Sequence, residues 1–221
     1  MNQQTKPTRH GLAVVVQAIR DGELVVVTDD EQRENEGDLI CAADRATPAL
    51  INFMARYGRG LICAAMKQDR LQALDIRPAR TRGQRDQFNT AFMESVDART
   101  GITTGISAPD RAHTIRLLVD PTTTPDDLVR PGHVFPLAAA ADGVLERAGH
   151  TEAAVDLALL AGCAPAGVIC EIIRDDGEMA RWPDLIQFAE THGLAVTSVA
   201  ELVAWRQDHG FTSPLAELVV S

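Results

Sequence analysis

The stretch Leu24-Val25-Val26-Val27-Thr28-Asp29-Asp30-Glu31-Gln32-Arg33-Glu34-Asn35-Glu36-Gly37-Asp38 joins an apolar, β-branched run to a loop with six carboxylates around one arginine. The valines predict a buried strand. Six acids in ten residues repel one another, so a cation must compensate them: a divalent metal, Arg33, or basic groups from elsewhere in the fold. Oxygen-rich clusters suit hard cations such as Mg²⁺. Read by itself, the loop serves equally as a solvated turn. It is not a calcium EF-hand, because placing Gly37 sixth in the loop puts Gln32 first and Ala43 twelfth, where ligands are required.

Outward from this loop, helical and strand patterns alternate. Leu12 to Arg20 reads as a helix ended by Asp21-Gly22, and Leu24 to Thr28 as the strand that follows. Thr47-Pro48 supplies an N-cap and an N1 proline for a helix running to Tyr57-Gly58. Leu61 to Met66 reads as a strand, Gln68 to Leu74 as a short helix, and the arginine-rich Arg77 to Asn89 as a mobile loop and lid candidate. Thr90 to Asp97 alternates like a strand. Ser107 with Asp110 opens a helix through Leu118, and Pro121 to Arg130 is turn-rich. Thr151 caps a helix stopped at Gly162. Gly167 to Ile173 is a strand, Pro183 to His192 a helix ended by Gly193, and Leu194 to Thr197 a strand. Ser198-x-x-Glu201 is a capping box for a last helix reaching about His209. The expected fold is α+β: a single domain with a mixed β-sheet and flanking helices, no repeat and no linker.

The 221 residues allow a sizeable core, and 45% hydrophobic with 24% charged residues is ordinary for a globular enzyme. A formal charge of -10 with no basic run argues against nucleic-acid binding. The N-terminal segment lacks an apolar leader, and no apolar stretch reaches the ~18 residues of a membrane span, so a cytoplasmic location is expected. Cys41, Cys63, Cys163 and Cys170 form no C-x-x-C pair and read as buried free thiols, with Cys63 the one of interest.

Three further clusters can carry chemistry. In Arg130-Pro131-Gly132-His133-Val134-Phe135-Pro136 the histidine sits in a stiffened, apolar setting and is, by local sequence, either structural or functional. Arg147-Ala148-Gly149-His150-Thr151-Glu152 opens a helix, where free N–H groups, the helix dipole, Arg147 and the Thr151 hydroxyl form an anion site. His150 there is a candidate metal ligand or acid–base group. His150-x-Glu152 has the spacing of zinc deaminases, but no P-C-x-x-C follows. Glu171, inside Gly167-Val-Ile-Cys-Glu-Ile-Ile173, is costly to ionise unless paired, a setting that suits a general base. An edge-strand carboxylate facing water is the alternative.

In order and spacing these blocks, together with Gly101-Ile102-Thr103-Thr104-Gly105-Ile106-Ser107-Ala108 and Asp110-Arg111, resemble the 3,4-dihydroxy-2-butanone 4-phosphate synthase family from about residue 11 to 207. The resemblance implies conversion of ribulose 5-phosphate to 3,4-dihydroxy-2-butanone 4-phosphate and formate in riboflavin biosynthesis. It implies Mg²⁺ or Mn²⁺, two ions per active site, no organic cofactor, and a homodimer with the site near the subunit interface. Glu34 and His150 would hold metal. Arg33, Glu34, Asp38, Arg147, Ala148, Gly149, His150, Thr151 and Glu171 would hold substrate, with Cys63 beside it. His133, Glu171 and Asp38 would carry catalysis. Phe92-Met93-Glu94-Ser95 is bulkier and more charged than the family strand leads one to expect. The chain ends soon after the last helix, so no fused GTP cyclohydrolase II domain is expected. Rival readings are another Mg²⁺-dependent enzyme of pentose phosphates and a non-enzymatic acidic binding protein.

Overall fold

In a computed structural model, residues 11–79, 88 and 90–219 are described, the last three of them as backbone alone. Among the described residues seven strands form one mixed sheet: β1 Val25–Thr28, β2 Gly37–Ala42, β3 Cys63–Met66, β4 Val96–Ala98, β5 Leu128–Ala138, β6 Ala166–Glu171 and β7 Ala195–Ser198. Their spatial order is β4-β5-β3-β6-β2-β1-β7. The β3–β5 and β1–β7 pairs are parallel, the others antiparallel. The helices are α1 Leu12–Arg20, α2 Pro48–Phe53, α3 Gln68–Ala73, α4 Ala108–Val119, α5 His150–Leu160, α6 Trp182–His192 and α7 Val199–His209.

Alternation along the strands divides the core into two layers. Leu24, Val26, Leu39, Cys41, Val168 and Cys170 pack with α2, α3, α4 and α6, while Val25, Val27, Ile40, Cys63 and Ile169 pack with α1, α5 and α7. Val25, Val26 and Val27 have no exposed surface, each contributing about 1.5–3 kcal/mol of burial. Helix α1 follows its amphipathic spacing, with Leu12, Val15, Val16 and Ile19 buried. Helix α5 is buried along nearly its whole length. It reaches the sheet at Gly167, where an added Cβ would stand 2.7 Å from the Ala154 Cβ.

Most expected elements appear within a residue or two, including the Thr47, Ser107 and Ser198 caps. Several differ. The helix from Pro48 passes into a π-helical turn at Met54–Gly58. The strand expected over Thr90 to Asp97 shrinks to β4, preceded by isolated bridges at Phe92 and Met93. The run Gly37–Ala42, which periodicity leaves unassigned, is the fully buried strand β2. The segment around His133 lies within the longest strand, β5. Thr151 does not cap α5: Gly149 holds that position and Thr151 is buried in the first turn. The lid candidate Arg77 to Asn89 falls outside the described residues at 80–87 and 89. All four cysteines are free, Cys163 being only partly buried. Among the described residues no helix is long and apolar enough to cross a membrane.

Candidate active site

Strand pairing, rather than any local motif, assembles the site. Asp38 pairs with Val27 on one side and with Glu171 on the other. Strand alternation places Asp38 and Glu171 on the face covered by α5, the face on which Cys63 also lies. The N-terminus of α5 brings His150 and Thr151 over this row, and the acidic loop closes it. The resulting cavity of about 230 Å³ is lined by Arg33, Glu34, Glu36, Asp38, Cys63, Arg147, His150, Thr151 and Glu171 among others. A larger hollow of about 540 Å³ beside α1, α6 and β7 offers Asp21, Glu23 and Glu190 but no histidine, cysteine or basic group, so the chemistry favours the smaller one.

The loop's shape comes from Asp29. Its buried carboxylate accepts the N–H groups of Glu34 at 3.1 Å and Glu36 at 2.8 Å, and Nη1 of Arg33 at 2.8 Å. Asn35 turns the chain with φ 54°, a left-handed conformation asparagine tolerates. Behind it, Arg181 donates to the carbonyls of Glu34 and Asn35. Arg33, lying 5.4 Å from the Phe88 ring centroid, also donates to Oε2 of Glu34 at 2.5 Å.

His150 is nearly inaccessible, and its Nε2 lies 3.1 Å from the Val27 carbonyl. A carbonyl only accepts, so Nε2 carries hydrogen and Nδ1 is left to face Oε2 of Glu34 at 3.6 Å and Oδ1 of Asp38 at 3.7 Å. Burial works against charge on this ring, but Asp38, Glu34 and Asp29 outweigh it and raise the pKa to about 9. Burial, with Glu171, Glu34 and Glu36 against partial relief from His150, pushes Asp38 up to about 7. Glu34 goes the other way: burial would raise it, yet His150 and Arg33 prevail and keep it below the usual carboxylate range.

A cation fits this donor set. Oxygen and nitrogen atoms of Asp29, Glu34 and His150 lie within 4.8 Å of one another. Asp38 Oδ1 is buried with no hydrogen-bond partner among the described residues; the His150 ring 3.7 Å away offsets part of that cost, and a bound cation would offset more. Asp29 is engaged by the loop's own donors, which leaves Glu34 and His150 as the better ligands.

Next to it stands an anion site. No side chain caps α5, so its first N–H groups are open. An added Cβ at Gly149 would lie 2.6 Å from Nη1 of Arg147 and 2.9 Å from Nη2 of Arg33, so two guanidiniums meet there. Ala148 is exposed beside them. Glu171 accepts the Leu61 N–H through Oε2 at 2.7 Å. Burial first, then Glu171 and Asp38, push the Cys63 thiol well up, which makes it a neutral wall rather than a nucleophile.

His133 does not line this cavity. It sits half-exposed on β5, its Nδ1 2.6 Å from Oδ2 of Asp97, whose Oδ1 accepts the His133 N–H at 2.9 Å. Gly105 presses against both, since a Cβ there would come 2.6 Å from His133 Nδ1. The loop carrying Gly105 is tied to Asp110, which accepts from the Thr103 hydroxyl at 2.7 Å and N–H at 3.1 Å and from the Gly105 N–H at 3.0 Å. The Thr103 hydroxyl first, with these amides, holds the Asp110 carboxyl down at about 2. Because that pKa is depressed, the stabilisation is full above about 4, the unfolded value, and is lost as pH falls toward 2. Asp110→Asn is therefore expected to lower the melting temperature at pH 7 and to flatten its fall between pH 4 and 2, as read by circular dichroism.

Among the residues sequence reasoning missed, Asp97 has no signal, being 36 positions from its histidine. The organising role of Asp29 was hidden among six equivalent acids.

A site with donors for a hard cation beside donors for a phosphate, on a mixed sheet flanked by helices, suits metal-assisted chemistry on a small phosphorylated compound. Residues 13–205 match the family model for 3,4-dihydroxy-2-butanone 4-phosphate synthase, and the chain belongs to that family. It is 55% identical over 190 residues to the 3,4-dihydroxy-2-butanone 4-phosphate synthase of Agrobacterium fabrum, spanning 86% of this chain and 89% of that protein. It is 56% identical over 193 residues to the riboflavin biosynthesis protein RibBA of Aquifex aeolicus, where the match covers 86% of this chain but 47% of the relative. The chain thus spans about half the length of that relative. A crystal structure of 3,4-dihydroxy-2-butanone 4-phosphate synthase in complex with two magnesium ions superimposes with a TM-score of 0.86 at 42% identity, over 91% of this chain and 99% of that one.

Proposed function

We propose that the chain converts D-ribulose 5-phosphate to L-3,4-dihydroxy-2-butanone 4-phosphate and formate, as a step of riboflavin biosynthesis. The observation that carries this reading is the acidic cavity, in which an Asp38 oxygen has no hydrogen-bond partner among the described residues, set against the Arg33–Arg147–α5 anion site. Glu34 and His150 would hold divalent metal, Mg²⁺ or Mn²⁺, two ions in all, which supplies Lewis-acid stabilisation of charge on the sugar oxygens. Arg147, Arg33 and the N-terminus of α5 anchor the phosphate, so the reacting carbons stay in register. Glu171 or Asp38 removes the first proton, at C3, and His133 serves a later transfer. Asp97 keeps the ring of His133 oriented for it. Ribulose 5-phosphate labelled with ¹³C at C4 is expected to release labelled formate; label retained in the phosphorylated product would contradict the reading.

A homodimer belongs to the same proposal. The His133–Asp97 dyad stands outside the cavity of its own chain. Phe92, which lines that cavity, also lines a hollow of about 670 Å³ together with Leu61, Met93, Pro131 and Phe135 and the polar Glu94, Ser95 and Arg130. Leu61, Phe92, Ile106 and Val129 are exposed. A second copy docked there covers these side chains and presents its dyad to the acidic cavity. His133→Ala and Glu171→Gln proteins, inactive alone, are then expected to recover about a quarter of wild-type activity when mixed and reassembled. No recovery from verified mixed dimers would place each dyad with its own cavity.

Gly149→Ala tests the anion site. Loss of the glycine N-cap costs about 1 kcal/mol at most, but the new methyl displaces both guanidiniums. The expected result is a rise in KM of about tenfold or more with the fold intact.

A further inference from the structure

Glu152 does not itself line the cavity, yet it is 1% exposed and sits in the first turn of α5. A carboxylate buried to that degree is costly unless its oxygens are engaged. Both are: Oε1 accepts the Ala140 N–H at 3.0 Å, and Oε2 accepts Nη1 of Arg147 at 2.6 Å. Arg147 further donates from Nε to the Phe88 carbonyl and from Nη2 to the Thr90 hydroxyl, each at 3.1 Å. Three of the five N–H donors of its guanidinium are committed in this way, which fixes the plane of the group and leaves two for an incoming anion.

We propose that Glu152 is a positioning residue for the phosphate site: it holds the Arg147 guanidinium beside Gly149 and the N-terminus of α5, ready for a bidentate phosphate contact. The role of the phosphate in turnover rests on the proposed reaction; the anion site itself does not. Two effects oppose each other when the carboxylate is removed. Arg147 loses its countercharge, which would strengthen its pull on an anion. It also loses its anchor, in a cavity where Glu34, Glu36, Asp38 and Glu171 all stand ready to capture a released cation. The second effect prevails, because a guanidinium re-paired with one of these acids has left the phosphate position.

Glu152→Gln keeps the shape of the side chain and an acceptor for the Ala140 N–H. In steady-state assays it is expected to raise KM for ribulose 5-phosphate about tenfold while kcat changes less than about threefold. Calorimetric titration with inorganic phosphate reads the same loss without turnover, and Mg²⁺ binding is expected to stay as in the wild type. In an Arg147→Ala background, Glu152→Gln is expected to add no further loss of phosphate affinity, since it acts through that side chain. Unchanged phosphate affinity in folded Glu152→Gln protein, or tighter binding, would overturn the proposal. So would a fall in kcat alone. If the glutamine variant does not fold, Glu152→Asp serves, because the shortened carboxylate cannot span Ala140 and Arg147, and the same loss is expected. Wild-type protein that binds phosphate but yields no formate would remove the proposed reaction and leave the positioning role standing.

Discussion

Replacing Glu34 with glutamine is expected to lower kcat/KM by about 10³ or more with little change in melting temperature. The substitution keeps the volume and a hydrogen-bond acceptor for Arg33, and takes away only the charge. That charge matters because Glu34, held ionised by His150 and Arg33 against its burial, is the anionic member of the Glu34–His150 pair. Lewis-acid stabilisation of developing charge is worth several kcal/mol, and each 1.4 kcal/mol is a factor of ten in rate. Formate release measured across a Mg²⁺ titration checks this. A variant that reaches wild-type turnover at saturating Mg²⁺ would show that Glu34 is not a required ligand.

The second large effect is expected at Glu171. Glutamine there can still accept the Leu61 N–H through its carbonyl oxygen, so β6 and its neighbours should remain in place. It cannot take a proton. A positioned general base contributes about 10²–10⁴ in rate, so a loss of about 10³ in kcat is expected, with KM much less affected. Near-normal kcat in folded Glu171→Gln protein would exclude Glu171 as the essential base. The role would then pass to Asp38, its partner across the β2–β6 pair.

The amphipathic helices and their caps were legible because their signals are local. Leu12, Val15, Val16 and Ile19 recur at helical spacing, and Ser107 and Ser198 accept from the N–H three residues on, as their sequence context predicts. Strand β5 was not legible, since Pro131, Gly132 and Pro136 are strand-breaking residues in a segment whose neighbours are chosen by tertiary pairing. Gly132 is tolerated there for a reason invisible in sequence: any Cβ would strike the backbone of Val96 and Asp97. Thr151 looked like a cap because Thr-Glu precedes an apolar run, but the helix starts earlier so that His150 reaches under β1.

The site divides in the same way. The acidic loop, His150 and the anion-binding helix start stand out as clusters in the chain, and Glu171 as a charge in an apolar strand. What pairs with what depends on register. Asp38 meets Glu171 from 133 positions away, and Asp97 meets His133 only because β4 lies against β5. Glu152 was visible only in a His-x-Glu spacing whose zinc reading the sequence itself excludes, and its buried carboxylate binds an arginine and a backbone amide.

The most direct measurement is formate release from ribulose 5-phosphate by the purified protein, with Mg²⁺ and with excess chelator. The account predicts formate with Mg²⁺ and none with chelator, restored when Mg²⁺ is added back. No formate under either condition from folded protein, or equal release in both, would contradict it.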